Sequence, residues 1–136
     1  EEQTSGALSV RAMAANFQTS SIWWKAGAFS GALGVVLGAF GAHALKAKVD
    51  PYMLEVWDTS NRYHIFHSLA LLFVPQTLVG KSTKSSYAGQ FFSAGILIFS
   101  GSLYAMVLSG NRKLGAITPI GGLFLIGGWL ALGFGW

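Results

Sequence analysis

The chain has no cysteine. Disulfides, thiolate metal sites, iron–sulfur clusters and a cysteine nucleophile are thereby excluded. Charge is scarce as well. Only 10% of the 136 residues are Asp, Glu, Lys or Arg, against about 25% in a soluble domain, so too little polar surface exists to cover an independent soluble globule. Proline is limited to 3 residues and the 18 glycines follow no Gly-X-Y period, which excludes collagen. A disordered chain is poor in aromatics and rich in charge. Here 14% of residues are aromatic, 52% are hydrophobic and the mean hydropathy is +0.50. These absences leave a small integral membrane protein.

The formal net charge is +4, from 9 basic and 5 acidic residues. The basic residues are scattered near the ends of apolar runs, where cations meet lipid headgroups. They form no stripe with interleaved aromatics, so the reading carries no nucleic-acid partner. The sequence starts at Glu1 rather than Met. Residues 3–24 hold no acid, are rich in Ser, Thr and Ala, and include Arg11. That is either the tail of an organelle-targeting segment or an ordinary polar extension.

Four charge-free stretches follow, between Lys25 and Lys46, Arg62 and Lys81, Lys84 and Arg112, and from Leu114 to Trp136. A bilayer core needs about 20 apolar helical residues, and helices satisfy their own backbone groups in lipid. The expected fold is all-α: residues 1–21 as an N-terminal extension, then a four-transmembrane-helix antiparallel bundle over 22–136. Its helices fall at about 22–45, 51–79, 87–109 and 114–136, joined by short turns. Trp23, Trp24 and Lys25 read as an interface belt. Asp50-Pro51 reads as N-cap and first helical residue. After it, Met53, Val56, Trp57 and Tyr63 are set against Glu55, Asp58 and Arg62, which predicts a short amphipathic helix near the membrane surface, before helix 2 and running on into it. Thr118-Pro119 repeats the cap chemistry for helix 4, and Lys81 to Ser86 reads as a polar turn. Orientation stays open. Arg11, Lys25, Lys81 and Lys84 share one side and Lys46, Lys48, Arg62, Arg112 and Lys113 the other, a split of 4 to 5.

Small residues mark the packing faces. Gly27, Gly31, Gly34, Gly38 and Gly41 step by four, three, four and three along helix 1, on one face. Helix 3 has Ala88, Gly95, Ser102 and Ser109, and helix 4 has Gly121, Gly128 and Gly135, each seven apart. Glycine costs about 1 kcal/mol against alanine inside a helix. In lipid the return is close backbone approach. The stripes suit packing inside the bundle or docking of another protein's helix.

The three histidines are His43, His64 and His67. His43 closes helix 1 where helix 2 begins, so all three are expected at one depth. Three uses compete: structural hydrogen bonds to backbone carbonyls, Asn61, Ser68 or Tyr63; a metal or haem site, with Asp58 as the nearest acid; and proton or quinone handling. No bound cofactor is assigned. Ser100, Ser102 and Tyr104 form the polar part of helix 3. No acid is placed to orient a histidine toward a serine, and no phosphate-loop pattern is present, so no catalytic residue is assigned.

Taken in order, Gly38-Ala39-Phe40-Gly41-Ala42-His43-Ala44-Leu45, Asn61 through Leu72, Phe99-Ser100-Gly101-Ser102-Leu103-Tyr104, and Thr118-Pro119-Ile120-Gly121-Gly122 with Gly128-Trp129-Leu130 resemble the signatures of one small membrane-protein family of unknown function. It includes bacterial inner-membrane proteins and the eukaryotic transmembrane protein 256 group. Val74-Pro75 and Leu108-Ser109-Gly110 look like the eukaryotic members, which implies a mitochondrial inner-membrane address. The extension before Ser21 and the terminal Gly133-Phe134-Gly135-Trp136 depart from the pattern. The resemblance brings no enzymatic activity or cofactor. The expected role is non-enzymatic: an accessory subunit of a larger, respiratory inner-membrane complex, surrounded by lipid and docking through small-residue faces. The alternative is a haem, metal or quinone site at His43, His64 and His67.

Overall fold

Asp50 sets the first strong local boundary. Its backbone is extended, at φ −66° and ψ 158°. Its carboxylate accepts the Met53 N–H at 3.0 Å, and Pro51 follows with its φ preset and no amide proton to lose. From there a helix runs unbroken to Phe73. The computed structural model describes residue 6, residues 22–78 and residues 86–135. The N-terminal extension, the polar turn before Ser86 and Trp136 lie otherwise outside these residues. Among the described residues the regular structure is entirely helical.

Helix α1 is Ile22–Leu45, with a π-helical last turn at Gly41–Leu45. Helix α2 is Pro51–Phe73, tightening into a 3₁₀ turn over Val74–Leu78. The change comes where Pro75 has no N–H to give, and the Val74 N–H turns to Leu71 O. Helix α3 is Tyr87–Ser109. Ser86 caps it, a π-helical turn interrupts it at Ile96–Ser100, and Gly110 at φ 68° ends it. A 3₁₀ turn, Arg112–Ala116, leads to α4, Thr118–Phe134.

The amphipathic stretch after Pro51 runs straight on into the rest of the helix, the continuity expected of it. Its polar residues and the apolar ones beyond Arg62 share one continuous axis, because nothing between Pro51 and Phe73 breaks the hydrogen-bond ladder. Thr118 does not cap α4. Ile117 holds the cap position without a side-chain bond, and the Thr118 hydroxyl lies 2.9 Å from that of Ser102.

Helices α1 and α3, and α4 with the 3₁₀ turn before it, are long and apolar enough to cross a membrane, with mean hydropathies of 1.6, 1.9 and 1.7. Helix α2 is not in that set. It carries Ser60, Asn61, His64, His67 and Ser68, which lower its average. Yet α2 is the hub. Gly27 of α1 lies against Ser68, Gly34 against Ile65, Gly38 against Asn61 and Gly41 against Trp57. The numbers fall on one helix as they rise on the other, so the two run antiparallel. Gly95 against Leu125 and Gly121 against Phe99 pair α3 with α4 in the same sense.

Two apolar clusters result. One gathers Leu71, Val74, Phe92, Ile96 and Leu125. The other gathers Leu45, Met53, Trp57, Tyr104 and Val107. Along α2 they are separated by residues 60–68, and that interval is polar.

Candidate functional site

The polar interval forms a layer across the bundle. Polar groups without water must bond one another. In this layer one placement of the protons satisfies every bond. The Ser68 hydroxyl donates to the His64 carbonyl at 2.7 Å. Its oxygen therefore accepts from the Ser30 hydroxyl, 2.7 Å away. With the Ser30 proton used, Ser30 Oγ accepts from His64 Nε2–H at 3.0 Å. A charged imidazole buried in an apolar bundle without a counter-ion is too costly, so the ring is neutral, and its Nδ1 accepts the Tyr104 phenol at 3.3 Å. The Asn61 amide donates to Tyr104 Oη at 3.1 Å and to Gly34 O at 2.7 Å. Six protons from five side chains fill six bonds, and the imidazole is neutral.

Two further devices flank this circuit. Ser60 donates to Ser100 O at 2.8 Å, and Ser100 donates to Ser60 O at 3.0 Å. Both serines are 1% exposed or less. This reciprocal clasp joins α2 to α3 at the end of the π-helical turn. His67 Nδ1 donates to Tyr63 O at 2.7 Å, and its Nε2 accepts the Trp129 indole N–H at 3.1 Å. That ring too is neutral, because a carbonyl only accepts and an indole only donates. Below the layer, Trp57 Nε1 donates to Leu37 O at 2.9 Å. Helix α2 thus holds each of the other three helices by side-chain hydrogen bonds.

The histidines expected at one depth do not meet. His64 and His67 are buried. His43 is exposed. Its neighbour Gly41 lies against Trp57, seven residues or about 10 Å down α2 from His64. His43 is two residues beyond Gly41, about 200° round the helix from the face that meets α2, and so lies on the outside. Asp58, the acid considered as a fourth ligand, is exposed. Among the described residues no group of three or more His, Asp and Glu is placed to hold a metal ion.

The small-residue positions divide. Gly27, Gly31, Gly34, Gly38 and Gly41 all face α2, four of them closely enough that an added Cβ at Gly27 would sit 2.7 Å from Ser68 O. This face is filled from within the chain, so an outside helix cannot dock on it. Gly95, Gly121 and Gly128 seat Leu125, Phe99 and Phe92 at the α3–α4 contact. Ser102 donates to Phe99 O at 3.0 Å and meets Thr118 of α4. Ser109 is exposed, and Gly135, at φ 71°, ends α4.

Sequence reasoning overlooked Ser30 and Trp129. Ser30 sits beside the glycine stripe of α1, one turn from both Gly27 and Gly34, so a polar group at the edge of a face reserved for contact was the signal. Trp129 lies on an otherwise lipid-facing side and is 51% exposed. Nothing in its spacing points to His67.

Comparison with known proteins finds relatives described as membrane proteins. Residues 37–122 match the family described as protein of unknown function (DUF423). A UPF0382 membrane protein of Staphylococcus aureus (strain bovine RF122 / ET3-1) is 43% identical over 106 residues, covering 78% of this chain and 87% of its own. The UPF0382 membrane protein YwdK of Bacillus subtilis is 42% identical over 109 residues, 78% and 88% of the two chains. A UPF0382 membrane protein of Schizosaccharomyces pombe is 40% identical over 115 residues, 80% and 96% of the two chains. No solved structure matches the chain.

Proposed function

The chain belongs to the DUF423/UPF0382 family of membrane proteins of unknown function, and on that premise we propose that it is a non-enzymatic four-span bundle serving as an accessory subunit of a larger inner-membrane complex. The closed polar layer carries this reading. Its six protons are all used inside the bundle, so its hydroxyls and imidazoles hold helices together instead of presenting a reactive group to a substrate. The outer faces are what such a chain offers to its surroundings. Phe29, Val36, Leu123, Ile126 and Phe134 are each more than half exposed, which suits lipid and neighbouring subunits. Docking therefore belongs to these large-residue faces and to the termini.

The fourth span is α2. It packs antiparallel along α1, and Ser60, Asn61, His64, His67 and Ser68 turn into the bundle, while the charged Glu55, Asp58 and Arg62 stay on its exposed side in the first half of the helix. Arg112, just after α3, reaches Asp50 at the start of α2 with 3.6 Å between N and O and lies over the Tyr52 ring. The connections α1–α2 and α3–α4 thus share one end, as four crossings require.

A mitochondrial address and a respiratory complex are the finer parts of the proposal. They rest on the acid-free segment over residues 3–24 and on the likeness to eukaryotic members. The test is native electrophoresis of the source membrane in mild detergent, with co-migrating proteins identified by mass spectrometry and the organelle by fractionation. Co-migration with a large respiratory assembly is the expected result. Migration alone or as a small homo-oligomer overturns the accessory-subunit reading.

A further inference from the structure

Between α1 and α3 lies a groove of about 380 Å³, within the range of roughly 300–1,000 Å³ typical of small-molecule sites. The helices on either side pair with α2 and α4, which leaves the gap between them open sideways. Leu33 at 52% exposure and Leu97 at 74% flank it. Gly101 leaves room in the wall, since an added Cβ there meets nothing within 4 Å. The floor is different in kind: Ser30, His64 and Tyr104, three members of the polar circuit, all line it. These residues sit on interior turns of their helices, so the groove is entered from the hydrocarbon of the bilayer.

We propose that this groove binds a lipid-soluble molecule made of a hydrocarbon chain bearing a carbonyl, and that the carbonyl accepts the phenol proton of Tyr104. The proton count allows it once the Ser30 and Ser68 hydroxyls, 2.7 Å apart in the closed circuit, move apart. In the closed circuit the imidazole proton is on Nε2 and Tyr104 points at Nδ1. If the imidazole proton is on Nδ1 instead, the ring donates to Tyr104 Oη, and the Ser30 hydroxyl donates to Nε2. Ser68 keeps its bond to the His64 carbonyl. The same six protons then satisfy every bond except Ser30–Ser68, and the Tyr104 O–H is turned out to the groove. One internal bond is exchanged for one to the occupant. The apolar walls select the chain, and the released phenol selects an acceptor at its head.

The test uses the full-length protein in detergent micelles with two probes, a decyl-substituted benzoquinone and methyl decanoate. They share a chain and a carbonyl and differ in source, an isoprenoid-quinone type against an acyl-ester type. Saturable binding of either one, with its carbonyl infrared stretch shifted down, is expected; which one binds tells the source. Gly101→Leu fills the groove from an open position and should abolish saturable binding without lowering the melting temperature. Tyr104→Phe should weaken binding about three- to tenfold and remove the infrared shift, as loss of one hydrogen bond does. Saturable binding undiminished in Gly101→Leu, or absent for both probes in the native protein, overturns the site. Full affinity in Tyr104→Phe, or a carbonyl stretch that stays shifted in that variant, overturns the contact. Neither result bears on co-migration with a larger complex.

Discussion

Serine, histidine and tyrosine side chains inside this bundle differ in what they bond to, and the difference can be measured. Ser60 and Ser100 each donate to the other's backbone carbonyl. Removing one hydroxyl leaves the other bond intact. Ser60→Ala and Ser100→Ala should therefore each destabilise the protein by about 0.6 kcal/mol, the average for an interhelical bond in a membrane, and the double variant should lose the sum. His67 and Trp129 bond side chain to side chain. There the second change should cost less than the first, with a coupling of about 0.6 kcal/mol in a double-mutant cycle of His67→Ala and Trp129→Phe. Reversible unfolding in detergent reads all of these. A coupled serine pair or an additive His67–Trp129 pair would contradict the bonding described.

At the scale of the element, close approach decides what a glycine is for. Gly121 lies against the backbone of Phe99, so Gly121→Ala must push α3 from α4 and should cost about 1–3 kcal/mol. Gly133 is on the same helix with nothing near its Cβ direction. Gly133→Ala should be neutral or stabilising by up to about 1 kcal/mol. Thermal melts of the two variants check the contrast.

Much of this was legible in the residues. The stepping of the α1 glycines identified a true contact face, and Asp50-Pro51 marked a true helix start. The seven-residue stripe of α3 was legible only in part. Ala88 and Gly95 are buried, but Ser109, two repeats on, is exposed. The π-helical turn at Ile96–Ser100 lies between them. Such a turn takes one residue more than an α-turn and so rotates the face that follows. A sequence period assumes a constant twist, and here the twist changes. His43 was misplaced for a simpler reason: two residues after Gly41, it falls on the side of α1 opposite the glycine face.

For the whole molecule, crossing number is the decisive quantity. Four crossings put the α1–α2 and α3–α4 connections on one side of the membrane. Three crossings, with α2 lying on the surface, put them on opposite sides. Because the chain has no cysteine, single substitutions at the exposed Lys48 and Lys113 are clean reporters. Both should react with an impermeant maleimide from the same side of sealed vesicles. Reaction from opposite sides would remove α2 from the membrane.

The hub role of α2 bears on how the protein is made. A helix carrying Asn61, His64 and His67 is a poor candidate to partition into lipid alone, since its polar groups would enter unbonded. The partners that satisfy Asn61 and His64 from α1, Gly34 O and Ser30, have already been synthesised when α2 emerges. The phenol of Tyr104 and the indole of Trp129 arrive later. Biogenesis should accordingly begin with α1 and α2 inserting together as a hairpin, with the glycine face of α1 as escort. Polar contacts from the second half of the chain then lock a pair that is already in place.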